Sequence, residues 1–167
     1  MTNPVFEKLS TALENGVLFG HSIEEAAQVF LKSIPEYEQD KVNVLISGDT
    51  RLTSPYQISR QISAFLQFFE LRDNIRILTG NLPGVETIVQ RYARNNRIEC
   101  VVFQRDCEPD IADYGNRGLK SRNRDMVNRA HVVLLLTAPN SKASDSMYQL
   151  ARSNGRLIAK RYIGPKK

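Results

Sequence analysis

The stretch from Ile75 to Ala93 constrains the fold more than any other part of the chain. It opens on the apolar run Ile75–Leu78, which stops at Thr79-Gly80, and Pro83-Gly84 follows shortly after. Apolar residues then recur at offsets of 0, 3, 4, 7 and 8, namely Val85, Ile88, Val89, Tyr92 and Ala93. These offsets form one face of a 3.6-residue period. The pattern therefore predicts a strand, a glycine turn and the start of a helix.

The turn between this strand and this helix has the composition of an anion site. Gly80 allows backbone angles closed to other residues and lets a ligand approach the main chain. Pro83 suits the first helical turn, where its missing N–H costs nothing. The unpaired N–H groups of that turn, together with the positive end of the helix dipole, favour a phosphate or a carboxylate. A turn of this kind also serves simply to connect a strand to a helix, so both interpretations stay open here.

Strands and helices alternate on both sides of this stretch. The predicted strands are Val42–Ser47, Ile75–Thr79, Ile98–Phe103, His131–Leu136 and Arg156–Lys160. The predicted helices are Pro55–Glu70 (with Ile58, Ile62, Phe65 and Phe69 inward), Pro83–Asn95, Ser121–Ala130 and Ala143–Ser153, with a long polar loop over Gln104–Arg117. Continuously apolar strands belong in a sheet covered on both faces. The alternation predicts an α/β fold, a Rossmann-like, doubly wound parallel sheet of about five strands.

Residues 1–40 are predicted to form an acidic helical extension to a Rossmann-like domain over residues 41–167. Two amphipathic helices are expected over 4–15 and 22–33, the second opening with a capping-box pattern at Ser22 and Glu25. The extension has two basic and seven acidic side chains, whereas the remainder has 21 basic and 11 acidic ones and a net charge of +10. Such a basic body favours anionic ligands, either nucleotides or nucleic acids. The acidic leader is either a solvated helical face or a cover over the basic body, packed on that body or on a second subunit.

Several classes of protein do not fit the sequence. No apolar stretch approaches the roughly 20 residues of a membrane span, and the N-terminus lacks the order of a signal peptide; we therefore expect a cytoplasmic protein with no membrane partner. Cys100 and Cys107 have no paired metal-ligand spacing. His21 and His131 are isolated, and a histidine that opens a strand, as His131 does, is more often structural than a ligand. We expect no metal and, without a G-x-G-x-x-G motif, no dinucleotide or other cofactor.

The predicted topology brings distant loops together. In a parallel sheet all strand-to-helix loops emerge at the same edge, and ligands bind there, near the point where the strand order reverses. The loops concerned are Gly48–Arg51, Thr79–Gly84, the Asp106–Asn123 region and Thr137–Ser144, and they are rich in glycine, hydroxyl groups and arginine. We therefore expect a phosphate-binding rim for a small anionic ligand.

Four pieces of the chain together resemble the SLOG superfamily. They are Leu45–Gly48, Leu78–Glu86 with Ala93, Arg122–Met126 and Ala130–Val133. The resemblance covers about residues 42–162 and is greatest to the YspA-like branch, whose relatives include the LOG phosphoribohydrolases and the DNA-processing protein DprA. It implies a Rossmann-like sheet and a pocket for a nucleotide or a nucleotide-derived ligand. Because relatives often dimerise, it also implies a homodimer.

The resemblance further assigns residues to that pocket. By motif match, Gly48, Gly80 and Gly84 would line the phosphate side. Arg122 would hold a phosphate through two parallel hydrogen bonds, with Asn123 beside it; the alternative is a surface arginine on a basic helix. The full set of predicted ligand-binding residues is Gly48, Asp49, Thr50, Arg51, Thr79, Gly80, Pro83, Gly84, Glu86, Arg122, Asn123, Thr137, Ser141 and Ser144.

The carboxylates of the predicted site indicate whether it only binds a ligand or also catalyses a reaction. Glu86 stands where the YspA-like pattern usually has an aspartate, and it would hold a ribose hydroxyl or only favour the helix dipole. LOG enzymes carry a Pro-Gly-Gly-x-Gly-Thr-x-x-Glu loop after the fourth strand, whereas the run 138–146 here has neither those glycines nor that glutamate. The sequence therefore favours nucleotide binding or sensing. The alternatives are an enzyme that cleaves an N-glycosidic bond, with Glu86, Asp106 or Asp145 as its carboxylate, and a DprA-like nucleic-acid binder.

Overall fold

A computed structural model describes residues 22–38, 40–69, 75–104 and 114–163, together with Leu9, Glu14 and Gly20. The helices are α1 (Ile23–Ser33), α2 (Pro55–Phe69), α3 (Val85–Asn95), α4 (Tyr114–Arg129) and α5 (Lys142–Ser153), with a short 3-10 turn at Glu36–Glu38. The strands are β1 (Val42–Gly48), β2 (Ile75–Gly80), β3 (Glu99–Phe103), β4 (Val132–Thr137) and β5 (Leu157–Tyr162). Within the described ranges, none of these helices has the length and apolar character needed to span a bilayer.

The five strands form one parallel sheet in the order β3-β2-β1-β4-β5. Strand β1 is central, since Val44 pairs with Ile77 of β2 on one side and with Val132 of β4 on the other. The chain runs outward from β1 through β2 to β3 and then crosses to β4 on the opposite side of β1. The strand order therefore reverses between β1 and β4, which is where open α/β sheets bind ligands. The predicted Rossmann-like fold is confirmed.

Helices cover both faces of this sheet. One buried apolar cluster joins α1, α2 and α3 to the sheet and includes Phe30, Ile58, Ile62 and Phe65. The cluster on the other face joins α4 and α5 to the sheet through residues such as Met126. Because β4 is covered on both sides, all six of its residues are buried. The predicted inward positions in α2 are confirmed, except that the side chain of Phe69 falls outside the described part.

The prediction was wrong about the start of α4. A polar loop was expected to reach Arg117, but the helix begins at Tyr114. Gly115 and Gly118 lower helix propensity by roughly 1 kcal/mol each relative to alanine, and the apolar stripe occupies only the second half of the helix. Packing of Met126 in the core stabilises that second half, and helix formation then extends cooperatively toward the N-terminus. The other described boundaries lie within two residues of the predicted ones.

Some predictions fall on parts of the chain outside the described residues. They concern most of the first helix over 4–15, and also His21, Asp106 and Cys107. Leu9, within that first helix, is described as helical and fully buried in the cluster that contains α1.

The described acidic residues of the leader differ in their surroundings: Glu14, Glu25 and Glu36 are exposed, whereas Glu38 packs on the basic body. Glu38 is 4% exposed, accepts a hydrogen bond from Asn43 Nδ2 at 3.2 Å and forms an ion pair with Arg129. Arg76 donates to the Glu38 carbonyl oxygen at 3.2 Å and to Asn43 Oδ1 at 2.8 Å. Glu38 thus fits a cover over the body and the exposed acids fit a solvated face, so both interpretations of the leader stay open. The domain boundary between residues 40 and 41 stays a prediction.

A buried arginine ties α1 to the far side of the sheet. Arg156, which precedes β5, is 1% exposed. It donates to Ser33 Oγ at 2.7 Å and to the carbonyl oxygens of Val127 and Asn128 at 2.7 and 2.8 Å. Burial lowers its pKa to about 10, so the group stays charged near neutral pH. One cation therefore joins the leader, the end of α4 and the start of β5.

His131, at the start of β4, is a buried structural residue. Its Nδ1 accepts the backbone N–H of Asn43 at 2.9 Å, and its ring packs edge-to-face on Phe30 at 4.9 Å between centroids. Burial, reinforced by the charges of Arg156 and Arg76, lowers the pKa of His131 from 6.5 to about 4. Protonation of this residue is therefore coupled to unfolding.

We expect the free energy of unfolding to fall by about 3 kcal/mol as the pH drops from 6.5 to 4. In this interval the unfolded chain binds a proton that the folded protein excludes, so stability rises with pH. The variant His131→Asn keeps an acceptor near the position of Nδ1 and has no proton to gain, so its stability should vary less across the same interval. Urea denaturation at several pH values measures the unfolding free energy of both proteins. If the variant shows the same pH dependence as the unmodified chain, His131 is not the group responsible.

Candidate functional site

A pocket of about 130 Å³ opens at the carboxyl edge of the sheet, where β1 and β4 diverge. Pockets that bury whole drug-sized ligands have about 300–1,000 Å³, so this one has room for one chemical group of a larger ligand. Seven predicted site residues line it: Gly48, Asp49, Thr50, Glu86, Arg122, Asn123 and Ser144. The topology therefore brings together residues from four separate parts of the sequence.

Five residues that were not named as site residues line the pocket: Ser47, Leu82, Leu135, Ala143 and Met147. Leu82 and Ala143 lie in loops that were predicted to form the rim. Ser47 carried a usable signal, because it is a polar side chain at the carboxyl end of an otherwise largely apolar strand. The other four are apolar, and whether they face the core or the pocket depends on the rotation of each element, which periodicity does not fix.

The remaining predicted residues lie around the pocket rather than along its wall. Thr79 is buried inside the sheet and donates to the Ile46 carbonyl oxygen at 2.8 Å. Pro83 lies before the helix and not in its first turn, because Gly84 is the N-cap of α3. Thr137 donates to its neighbour's carbonyl oxygen, that of Ala138, at 2.9 Å. Arg51, Gly80 and Ser141 are described with the groups they contact below.

The best-defined feature of the pocket is a buried ion pair between Glu86 of α3 and Arg122 of α4. Their side chains are 2% and 3% exposed. Two parallel hydrogen bonds join them, from Nη1 to Oε2 at 2.9 Å and from Nη2 to Oε1 at 3.1 Å. Glu86 also accepts from Ser47 Oγ at 3.1 Å and from the Leu82 N–H at 2.9 Å. A carboxylate with four donors is fully satisfied within the protein.

Arg122 is held equally firmly. Asn123 Oδ1 accepts from its Nε and Nη2 at 3.2 and 2.8 Å, and the bidentate face of the guanidinium that was expected to bind phosphate is engaged by Glu86. To bind a phosphate in that way, Arg122 would have to leave its carboxylate partner. The phosphate role of Arg122 and the ribose role of Glu86 therefore stay predictions, and the pair as found orients the pocket wall.

Gly80 has no side chain, and the ion pair between Glu86 and Arg122 occupies the space where a Cβ would otherwise lie. A Cβ on Gly80 would lie closer than 3.0 Å to Arg122 Nη1 and to both Oε2 and Cδ of Glu86. Glycine is therefore required at this position, the last of β2, because the side chains of Glu86 and Arg122 fill the space that a Cβ would need.

Gly48 and Gly84 allow close approach of the backbone at the pocket. A Cβ on Gly48 would overlap the Leu136 carbonyl oxygen of β4 and lie 2.8 Å from Val85 Cγ2. Gly84 has φ +83°, and a Cβ there would lie 2.6 Å from the Thr50 carbonyl oxygen. The loop after β1 therefore rests directly on the N-terminus of α3.

Asp49 and Arg51 fix the loop that follows β1. The Asp49 carboxylate accepts the Arg51 backbone N–H at 2.8 Å and pairs with Arg51 Nη2 at 2.7 Å. The Arg51 side chain is 66% exposed. Hydrogen bonds from Arg51, with a smaller one from Ser141, lower the pKa of Asp49 from 3.8 to about 2. Asp49 and Thr50 of this loop line the pocket, and the neighbouring Arg51 is exposed but paired with Asp49.

The N-terminus of α5 also opens on the pocket. Ser141 is its N-cap, with its hydroxyl accepting the Ser144 N–H at 3.3 Å. Lys142, the first residue of the helix, is exposed. The backbone N–H groups of Lys142 and Ala143 have no hydrogen-bond partner among the described residues, as is usual in a first helical turn, and the helix dipole makes this end favourable for an anion.

The electrostatics divide the site into a neutral wall and a cationic mouth. Each carboxylate of the wall has its own guanidinium, Glu86 that of Arg122 and Asp49 that of Arg51. The groups that remain available to an anion are Lys142, the start of α5 and, by exchange of its partner, Arg51. The arrangement suits a ligand whose negative charge stays at the mouth while a neutral group enters the pocket.

The candidate catalytic carboxylates are not gathered in one place. Glu86 lines the pocket, but its donors are all within the protein. Asp145 is 65% exposed and pairs with Lys160 at 3.2 Å, outside the residues that line the pocket. Asp106 falls outside the described residues. In the part of the chain that the structure describes, no group of three His, Cys, Asp or Glu side chains is placed to hold a metal ion.

Comparison with known proteins agrees with the fold. The chain is similar to DNA processing protein A from Helicobacter pylori, solved in a study of its single-stranded DNA binding mode, with a TM-score of 0.51 and 19% identity over 81% of this chain and 71% of that chain. That neighbour is a DprA, one of the relatives that the sequence resemblance includes. No family model matches the chain, and no curated protein matches it. At this identity the likeness concerns the fold alone.

Proposed function

We propose that the chain binds single-stranded nucleic acid across the carboxyl edge of its sheet, with one nucleotide unit at the pocket between β1 and β4. The observation that carries the proposal is a satisfied, neutral pocket wall next to the N-terminus of α5, where Lys142 is exposed beside the lining residues Ala143 and Ser144. A base or a sugar fits the former and a phosphate the latter. Because the pocket is open and small, the strand would continue over its rim.

Two further findings support this interpretation. The body after residue 40 has a net charge of +10, and phosphate contacts supply most of the affinity of nucleic-acid binding. The structural neighbour DNA processing protein A was studied for its binding of single-stranded DNA. The YspA-like and LOG-like interpretations, and a homodimer, remain proposals that rest on the sequence resemblance.

The variant Lys142→Ala should bind a thymidine strand of about 12 nucleotides more weakly and with a smaller dependence on salt. Removing one phosphate contact lowers the slope of log affinity against log salt by about 0.7 for single strands. Fluorescence anisotropy of a labelled strand, titrated at several salt concentrations, measures both quantities.

The matched control is Arg94→Ala, an exposed arginine in the last turn of α3 at the opposite edge of the sheet. It should leave affinity and slope unchanged. Equal effects of the two variants would contradict a binding edge at the pocket, and no binding by the unmodified chain at low salt would overturn the proposed function itself.

A second candidate is the binding or sensing of a free nucleotide, which was the main prediction from the sequence. The observation that favours it is the position of the pocket at the reversal of strand order between β1 and β4, where open α/β sheets bind ligands. A mononucleotide that displaces the labelled strand from the pocket, and raises the melting temperature at millimolar concentration, would support it. Cleavage of an N-glycosidic bond has Glu86 as its one candidate carboxylate among the described pocket residues, and chromatography for free base after incubation with nucleoside monophosphates tests it.

A further inference from the structure

An exposed aromatic cluster lies at the outer end of β5. Tyr162, the last residue of that strand, is 63% exposed. The ammonium of Lys160, two residues earlier and so on the same face of the strand, lies 5.4 Å from the ring centroid of Tyr162 and 5.4 Å from that of Tyr148 in α5. A cation at this distance is attracted to aromatic rings. We call these three residues the β5 aromatic platform.

The platform adjoins the pocket through α5. Ala143, Ser144 and Met147 of that helix line the pocket, whereas Asp145 and Tyr148, at the next positions around the helix, face Lys160. Ser144 and Tyr148 are four positions apart and therefore neighbours on the helix surface, with Cβ atoms roughly 5–6 Å apart. Pocket and platform thus occupy adjoining faces of the first two turns of α5. Both face the carboxyl edge, since Tyr162 ends β5 beside Thr137, the last residue of β4.

The charge of the platform indicates what it would bind. Asp145 pairs with Lys160 at 3.2 Å, so this ammonium is already neutralised and the platform is a weak phosphate site. What it offers is an exposed ring whose position is fixed by a neighbouring cation. Bases of single-stranded nucleic acids stack on such rings, and every base has a face that can do so.

We propose that the platform is a stacking site for a nucleobase, and that the bound strand leaves the pocket across the start of α5 toward β5. This inference rests on the proposed function and adds a direction to it. Tyr56, 69% exposed in the first turn of α2, belongs to a helix on the other face of the sheet from α5 and is the alternative stacking residue. No cation–ring contact holds Tyr56 among the described residues, which is why we favour the β5 side.

The chain contains no tryptophan, so Tyr162→Trp creates a single fluorescent reporter at the platform. Adding a thymidine strand of about 12 nucleotides should quench this fluorescence at the concentrations at which anisotropy reports binding. The matched reporter Tyr56→Trp should show little change. Tyr162→Ala should weaken binding about 5- to 160-fold, the range for loss of one stacked base, and Tyr162→Phe should bind like the unmodified chain.

The outcomes separate this inference from the function on which it rests. If the strand binds the unmodified chain, but the fluorescence of the Tyr162→Trp variant is not quenched and Tyr162→Ala binds normally, the platform is not part of the path and the proposed function stands. Quenching in Tyr56→Trp instead would reverse the direction and overturn the inference. If the unmodified chain binds no strand, both proposals fail. Circular dichroism of each variant confirms that it is folded.

Discussion

Replacing Arg122 with alanine should lower the free energy of unfolding by about 3–5 kcal/mol, because it leaves the Glu86 carboxylate buried without its cation. Removing Glu86 should have a similar effect for the same reason. In the double variant both charges are gone, so its loss should be clearly smaller than the sum of the two single losses. Urea denaturation of the four proteins gives this coupling energy directly.

The control for this experiment is Arg124→Ala, an exposed arginine two positions further along α4. Its stability should change by no more than about 0.5 kcal/mol. Additive single losses would show that the two groups are not coupled, and equal losses for Arg122 and Arg124 would show that the guanidinium of Arg122 is not buried against a charge.

Gly48→Ala should lower the free energy of unfolding by about 4 kcal/mol or more, because the added methyl group overlaps the Leu136 carbonyl oxygen of β4. This is at the upper end of the range for overpacking. A backbone oxygen in the centre of a sheet cannot rotate away as a side chain does. The shift between β1 and β4 needed to relieve the overlap would also alter the pocket, so ligand affinity should fall together with stability. Thermal and urea denaturation measure the first effect and anisotropy the second.

Gly80→Ala provides the contrast, since its methyl group would meet side-chain atoms of Glu86 and Arg122. The loss of unfolding free energy caused by Gly80→Ala should therefore be smaller in the variant in which Glu86 and Arg122 are both replaced by alanine. The loss of unfolding free energy caused by Gly48→Ala should be equal in the unmodified chain and in that double variant. If Gly48→Ala is tolerated within about 1 kcal/mol in either background, the close approach of β1 and β4 at this point is wrong.

The fold followed from the sequence because its signals are local and repeated. Apolar strands alternate with amphipathic helices, and the rule that parallel strands share one edge for their loops predicted that Gly48, Gly84, Arg122 and Ser144 lie near each other. What the sequence does not contain is the partner of each side chain. Glu86 and Arg122 are 36 positions apart, and their pairing depends on how α3 and α4 rotate about their own axes.

The glycines of the site also show that the sequence does not reveal which atoms come into contact. Sequence reasoning treated Gly48 and Gly80 as openings for a ligand, and in the structure the missing Cβ atoms leave room for a β4 carbonyl oxygen and for an ion pair. A glycine signals that something comes close, without saying what. Likewise, the weakly apolar first half of α4 gave no periodic signal, because it is helical through extension of a helix stabilised elsewhere.

The contacts of the leader set the smallest unit that we expect to fold. A fragment beginning at Lys41 would retain every strand, yet it would lose Phe30 from the core, Ser33 from Arg156 and the Glu38 carboxylate from Arg129. Arg129 would then lose its carboxylate partner, and Arg156 would lose one of its hydrogen-bond acceptors. We therefore expect the smallest folding unit to include these leader residues as well as the Rossmann-like sheet and its helices.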